Sequence, residues 1–257
     1  MRDTAERYQE EVPSWFPPGA VHTLVGAGGK STAMRAAAAV LTRRGMRVRM
    51  TTTTRVGVGE FRGWPVQLVS GLEEAQQALD NAAAVKLLAS GILPGAAEQE
   101  KYAGLDPALV DGLRLARDVV LLVEGDGSRR LPIKAPREHE PVIPSRSYSV
   151  LLFMGASALG LPLDGRNCFN HERALALLGR AETCLGPEEI LTLAAHPDCG
   201  RKGVMPGMAF RLVINQGDLE NARPAAERAL RLAWERAGIE GALASFQEGE
   251  LYATSRD

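Results

Sequence analysis

Three cysteines in 257 residues, Cys168, Cys184 and Cys199, are too few and too scattered for a disulfide framework, and no C-x-x-C pair exists to start a zinc knuckle. Such usage fits a reducing compartment. Cys199, in HPDCGRKG, reads as an ordinary loop or core cysteine rather than a reactive thiol. No apolar run approaches the roughly 20 residues of a membrane span. The opening stretch, MRDTAERYQEEVPSWF, lacks the apolar core of a signal peptide. An excess of one charge is missing too: 30 Lys and Arg stand against 31 Asp and Glu. The formal net charge of −1 leaves no basic footprint for nucleic acid or an anionic membrane. His139, His171 and His196 have no metal-type spacing. These absences lead us to expect a soluble, cytoplasmic protein with neither nucleic-acid nor membrane partners.

What is present is a globular α/β pattern, 45% hydrophobic and without internal repeats. Pro17-Pro18-Gly19 separates an N-terminal extension, residues 1–18, from Val21–Val25, a short buried strand. An alanine-rich helix is expected over Lys30–Arg44, stopped by Gly45, and a strand over Met46–Met50. Strand, glycine loop, helix, strand is the opening of a parallel sheet. Residues 55–117 read as a less regular, helical insertion, with an edge strand at Val66–Val69 and helices at Leu72–Ala89 and Pro107–Arg117. Asp118–Val123, Tyr148–Met154 and Phe210–Ile214 are continuous apolar runs, typical of strands buried on both faces. Helices follow at His171–Leu178, Pro187–Ala195 and Pro224–Ala237, and LASFQEGELYAT adds a last strand. The expectation is one domain over 1–257 with a mainly parallel central sheet.

Ligands of open parallel sheets bind at the carboxyl ends of the strands, and the chemically distinctive residues cluster there. VGAGGKST ends like a phosphate loop, yet the full pattern G-x-x-x-x-G-K-[ST] needs glycine where Leu24 stands. The loop is then the shorter G-x-x-G-K-S form, with Gly26, Ala27, Gly28, Gly29, Lys30, Ser31 and Thr32 expected around phosphate. Lys30 supplies charge to the outer phosphates, Ser31 a hydroxyl to Mg²⁺, and the following helix its dipole. A dinucleotide site is the nearest rival, but the acidic ribose partner about 20 residues on is missing.

Glu124-Gly125-Asp126 ends the apolar run as the carboxylate of a Walker B element does, holding Mg²⁺ directly or through water, or positioning a water. A threonine run, Thr51 to Thr54, ends the second strand and offers a further hydroxyl to the metal, with Thr54 as candidate. Asn215-Gln216-Gly217-Asp218 resembles the N-K-x-D element that reads guanine, with Gln216 in place of lysine; Asn215 and Asp218 are equally good turn formers. Arg129 is a candidate for charge on the transferring phosphoryl group, and Lys134 and His139 for an anionic second substrate. ATP or GTP with Mg²⁺ is the cofactor set these residues suggest.

VGAGGKST, TTTTRV, VEGDGSRRLPIKAPREHEPVIP and INQGD occur in the order seen in the YqeC family, which the chain resembles from about residue 19 to 220. The most specific part is Glu124-x-Asp126-Gly127-Ser128 followed by Lys134-Ala135-Pro136 and Glu138-His139-Glu140-Pro141. The loop is also similar to the shortened phosphate loop of Mur-type ligases. Together these resemblances imply a three-layer fold like that of P-loop NTPases. They also imply an accessory role in maturing selenium-dependent molybdenum hydroxylases, with such a hydroxylase or its cofactor as client. Three functions stay open at this level: a nucleotide-hydrolysing accessory factor, an ATP-dependent transferase or ligase acting on an anionic small molecule, and a non-hydrolysing binding module.

Overall fold

Alternation along the apolar runs sets the layers. In the strand VVLLVE, Val119, Leu121 and Val123 pack to one side of the sheet, while Val120 and Leu122 pack to the other. Both faces therefore need cover, and helices supply it. Each valine or leucine fully buried in this way contributes about 1.5–3 kcal/mol relative to exposure.

The computed structural model describes residues 3–94 and 100–256. In chain order it contains α1 (Thr4–Glu11), β1 (Ala20–Gly26), α2 (Lys30–Arg43), β2 (Arg47–Thr52), β3 (Arg55–Gly57), β4 (Val66–Leu68) and α3 (Leu72–Asp80). Then come β5 (Val85–Ala89), β6 (Gly91–Leu93), β7 (Lys101–Ala103), α4 (Pro107–Gly112), β8 (Val119–Glu124), β9 (Ile133–Lys134) and β10 (Ser147–Gly155). The remainder is β11 (Cys168–Phe169), α5 (His171–Leu178), α6 (Pro187–Ala195), β12 (Ala209–Asn215), α7 (Arg223–Ala237), β13 (Glu240–Ser245) and β14 (Glu250–Thr254).

Nine strands form one sheet in the order β14-β13-β12-β10-β1-β8-β2-β5-β4. All neighbours run parallel except β13 and β14. One face carries α1 and α2; the other carries α5, α6 and α7 over one half and α3 and α4 over the other. This is a three-layer α/β fold. β1 lies centrally, between β8 and β10, so the loop after it opens at the middle of the sheet's carboxyl edge.

Two expectations about residues 55–117 are corrected. The segment is not mainly helical, because β4 and β5 extend the main sheet and β3, β7 and β6 form a separate antiparallel one. The helix expected over Leu72–Ala89 stops at Asp80, and Val85–Ala89 becomes β5. Its end is held by two arginines of β2. Arg49, fully buried, donates to the carbonyls of Ala78, Asn81, Ala83 and Val48, and Arg47 donates to that of Asp80. The carbonyls of Ala78, Asp80 and Asn81, at the end of α3, have no helical partner, and cations there also suit the helix dipole. The C-terminal LASFQEGELYAT spans the end of β13, a turn, and β14, a hairpin rather than one strand.

Candidate functional site

The phosphate-type loop is shaped by its glycines. Gly26, Gly28 and Gly29 have φ of 88, 86 and 107°, in the region that L side chains avoid. A Cβ on Gly28 would stand 2.4 Å from the Gly155 amide nitrogen, and one on Gly29 would stand 2.6 Å from the Asn215 side-chain nitrogen. The loop lies against the ends of β10 and β12 with no room to spare.

That packing consumes three of the amides from Gly26 to Thr32. The Gly26 N–H meets both Asp126 oxygens at 3.1 Å, the Ala27 N–H donates to Phe153 O, and the Gly28 N–H donates to Leu131 O. The expectation that Gly26, Ala27 and Gly28 offer amides to phosphate is thereby narrowed. The amides still open to a ligand are those of Gly29, Lys30, Ser31 and Thr32, at the start of α2. Helix geometry gives them no internal acceptor, and Gly29 as N-cap supplies no side-chain cap. This start faces a cleft of about 1430 Å³ along the carboxyl edge of the sheet.

Behind the loop runs a buried chain of alternating charges. The Ser31 hydroxyl donates to Glu124 at 2.9 Å. The Lys30 ammonium donates to Gly26 O at 2.6 Å and stands 3.2 Å from Asp126 and 3.7 Å from Glu124. Asp126 continues to Lys134 at 3.1 Å, and Lys134 to Glu140 at 2.7 Å and Gly127 O at 2.6 Å. All five charged residues are buried. Burial lowers the Lys30 pKa, but Asp126 and then Glu124 outweigh it, so Lys30 is held above ordinary lysine and stays charged. Burial would also raise Glu140; the Lys134 hydrogen bond and charge overcome that and hold it low. Glu124 ends above the usual carboxylate range, because burial exceeds what Lys30 and Ser31 return. The imbalance explains this: three carboxylates share two ammonium groups, and Glu124 has the longest contact.

Several site expectations change with this geometry. Asp126, expected to bind Mg²⁺ or take part in catalysis, is saturated by Gly26, Lys30 and Lys134 and is 1% exposed. Lys134, expected to meet an anionic substrate, is likewise enclosed. Asn215, expected to read a base, donates to Gly28 O at 2.8 Å and accepts from the Phe246 N–H, tying the loop to β12 and β13. Asp218, Arg129 and His139 are exposed and line the cleft. In the threonine run, Thr51 bonds Leu88 O, Thr52 bonds Glu124 O and Thr53 bonds Val142 O, leaving Thr54 at the cleft with its hydroxyl 3.2 Å from Thr52.

Ser31 and Glu124 fit Mg²⁺ as adjacent hard oxygens beside the uncapped helix start. Among the described residues no cluster of three or more His, Cys, Asp or Glu is arranged to hold a metal alone, so water and phosphate oxygens would complete the ion's coordination. Sequence reasoning missed two contributors. Glu140 lay inside the quoted motif Glu138-His139-Glu140-Pro141, but the neighbouring histidine drew the attention. Phe169 had no local signal; β11 pairs with β9 and brings its ring near Lys134, Arg129 and Arg137, at 5.5, 5.0 and 4.9 Å from its centroid.

Comparison with known proteins covers the same region. The family model described as YqeC protein matches residues 22–172, which include the loop, the charge chain and Phe169 but not Asn215 or Asp218. A protein of Escherichia coli (strain K12) described as "Uncharacterized protein YqeC" is 33% identical over 205 residues, 79% of this chain and 78% of its own length. Among the described residues no helix is long and apolar enough to cross a membrane.

Proposed function

The chain belongs to the YqeC family, and from that premise we propose that it is a Mg-nucleotide-binding accessory factor that hydrolyses ATP or GTP. The observation that carries this reading is the uncapped start of α2, with the amides of Gly29 to Thr32 facing the cleft and the Ser31–Glu124 pair beside it. Phosphate oxygens accept from these amides, and the buried Lys30 ammonium, held behind the loop by Gly26 O, Asp126 and Glu124, adds positive charge there. Mg²⁺, where bound, offsets charge on the phosphates. Glu124, with its raised pKa, is placed to orient a water and take its proton. The role in maturing a selenium-dependent molybdenum hydroxylase or its cofactor follows from the family resemblance, and the client is part of the proposal.

The test is thermal unfolding with ATP, GTP and their slowly hydrolysed analogues, with and without Mg²⁺. At a hundredfold excess over Kd a bound nucleotide adds about 2.7 kcal/mol, which for a chain of this size raises Tm by roughly 5–10 °C. Ser31→Ala should reduce the Mg²⁺-dependent part of that shift. If no nucleotide moves Tm, the reading is wrong. A second reading, ATP-dependent transfer to an anionic small molecule, is favoured by the cleft itself: about 1430 Å³ exceeds the roughly 300–1,000 Å³ of a one-ligand pocket.

A further inference from the structure

Two arginines of the cleft lie over one aromatic ring. Arg129 and Arg137 each place their guanidinium carbon over Phe169, at 5.0 and 4.9 Å from the centroid. The two buried cations of the site are neutralised: Lys30 by Asp126 and Glu124, Lys134 by Asp126 and Glu140. Neither guanidinium makes a hydrogen bond or a close ion pair among the described residues, although the Arg137 charge helps to hold Glu140 low. Both are exposed, and both line the cleft that receives the start of α2.

The backbone supports deliberate placement. Arg129 and Arg130 adopt φ of 52 and 62°, two consecutive non-glycine residues in the left-handed region that L side chains rarely occupy. Phe169 is fixed in turn, since Ala135 N–H donates to its carbonyl at 3.0 Å and β11 is registered on β9. A guanidinium held over an aromatic ring has less rotamer freedom left to lose when it binds an anion. Two guanidinium groups over one ring supply paired N–H donors of the kind a doubly charged oxyanion accepts.

We propose that Arg129, Arg137 and Phe169 form a second subsite that binds the phosphate or dicarboxylate group of a small anionic substrate. This subsite is distinct from the one that holds the nucleotide phosphates. It rests on the nucleotide reading only in assigning the start of α2 to the other ligand. His139 is exposed on the same cleft.

Pyrophosphate and citrate serve as the probes, titrated by calorimetry into the wild type and into the Arg129→Gln/Arg137→Gln double variant. Each titration is run with and without a saturating, slowly hydrolysed Mg-nucleotide. Both arginines are exposed, so the variant should fold, and its circular dichroism and Tm report that directly. The wild type should bind at least one probe while nucleotide is present, and the double variant should bind it at least tenfold more weakly with nucleotide affinity changed by less than about twofold. Equal probe affinity in the two proteins overturns the subsite. A matching loss of nucleotide affinity overturns it too, because the arginines would then serve the nucleotide. Failure of the wild type to bind any nucleotide counts against the proposed function alone, since the probe comparison without nucleotide still reads the arginines.

Discussion

Asp126 shows how position in space can reassign a residue. By sequence it is a second carboxylate at a strand end; in the fold it is the keystone between two lysines and a backbone amide. Removing one member of a buried charge network leaves the others uncompensated. Asp126→Ala should therefore lower unfolding free energy by about 3–5 kcal/mol, read from urea denaturation. Asp126→Asn keeps an acceptor for Gly26 and should lose less. A loss under about 1 kcal/mol for the alanine variant would mean that the chain of charges does not hold the loop. Lys30→Ala is a poorer probe of ligand binding than Ser31→Ala, because it also strips buried Glu124 of its cation and Asp126 of one of its two.

Among the elements, the α3–β5 junction is the instructive case. Residues 72–89 are rich in helix formers, and local preference alone carries the helix through. The side chain that stops it comes from β2, about thirty positions away: Arg49, buried and spread over four carbonyls. Arg49→Met fills similar space but satisfies none of them, so it should destabilise the protein by about 3 kcal/mol. The shift in denaturation midpoint measures it, and an unchanged midpoint would show that the helix end needs no such cap. By contrast α5 and α6 begin and end at the expected residues, because His171–Leu178 is bounded by Gly179 and Pro187–Ala195 opens on proline and a glutamate cap.

For the whole molecule, His22 couples stability to pH. It is buried in the central strand β1, bonded to Ser149 of β10 at 2.7 Å and to Pro17 O at 2.9 Å. Burial pulls its pKa from 6.5 down to about 4. Between those values the unfolded chain holds a proton that the folded one refuses. The contribution is complete above about pH 6.5, falls as pH drops, and is lost once pH passes below about 4. Its size is about 3 kcal/mol. Urea midpoints at neutral and mildly acidic pH should separate for wild type and converge for His22→Gln; parallel profiles for the two would contradict the assignment. The difference between the proteins isolates this group from Glu124 and Glu140, which titrate in both.

Local rules sufficed for the parallel core. Continuous apolar runs mark strands covered on both faces, and the loop between β1 and α2 is visible because only glycine tolerates its φ angles and close approaches. Residue types at strand ends also place Lys30, Ser31 and Glu124 together, since parallel strands bring their carboxyl ends to one edge. What each side chain does there was decided in three dimensions. Asp126, Lys134 and Asn215 became internal partners because donors and acceptors buried with them had to be satisfied. Phe169 joined Arg129 and Arg137 only through pairing of β11 with β9, a contact between segments that no spacing in the chain announces.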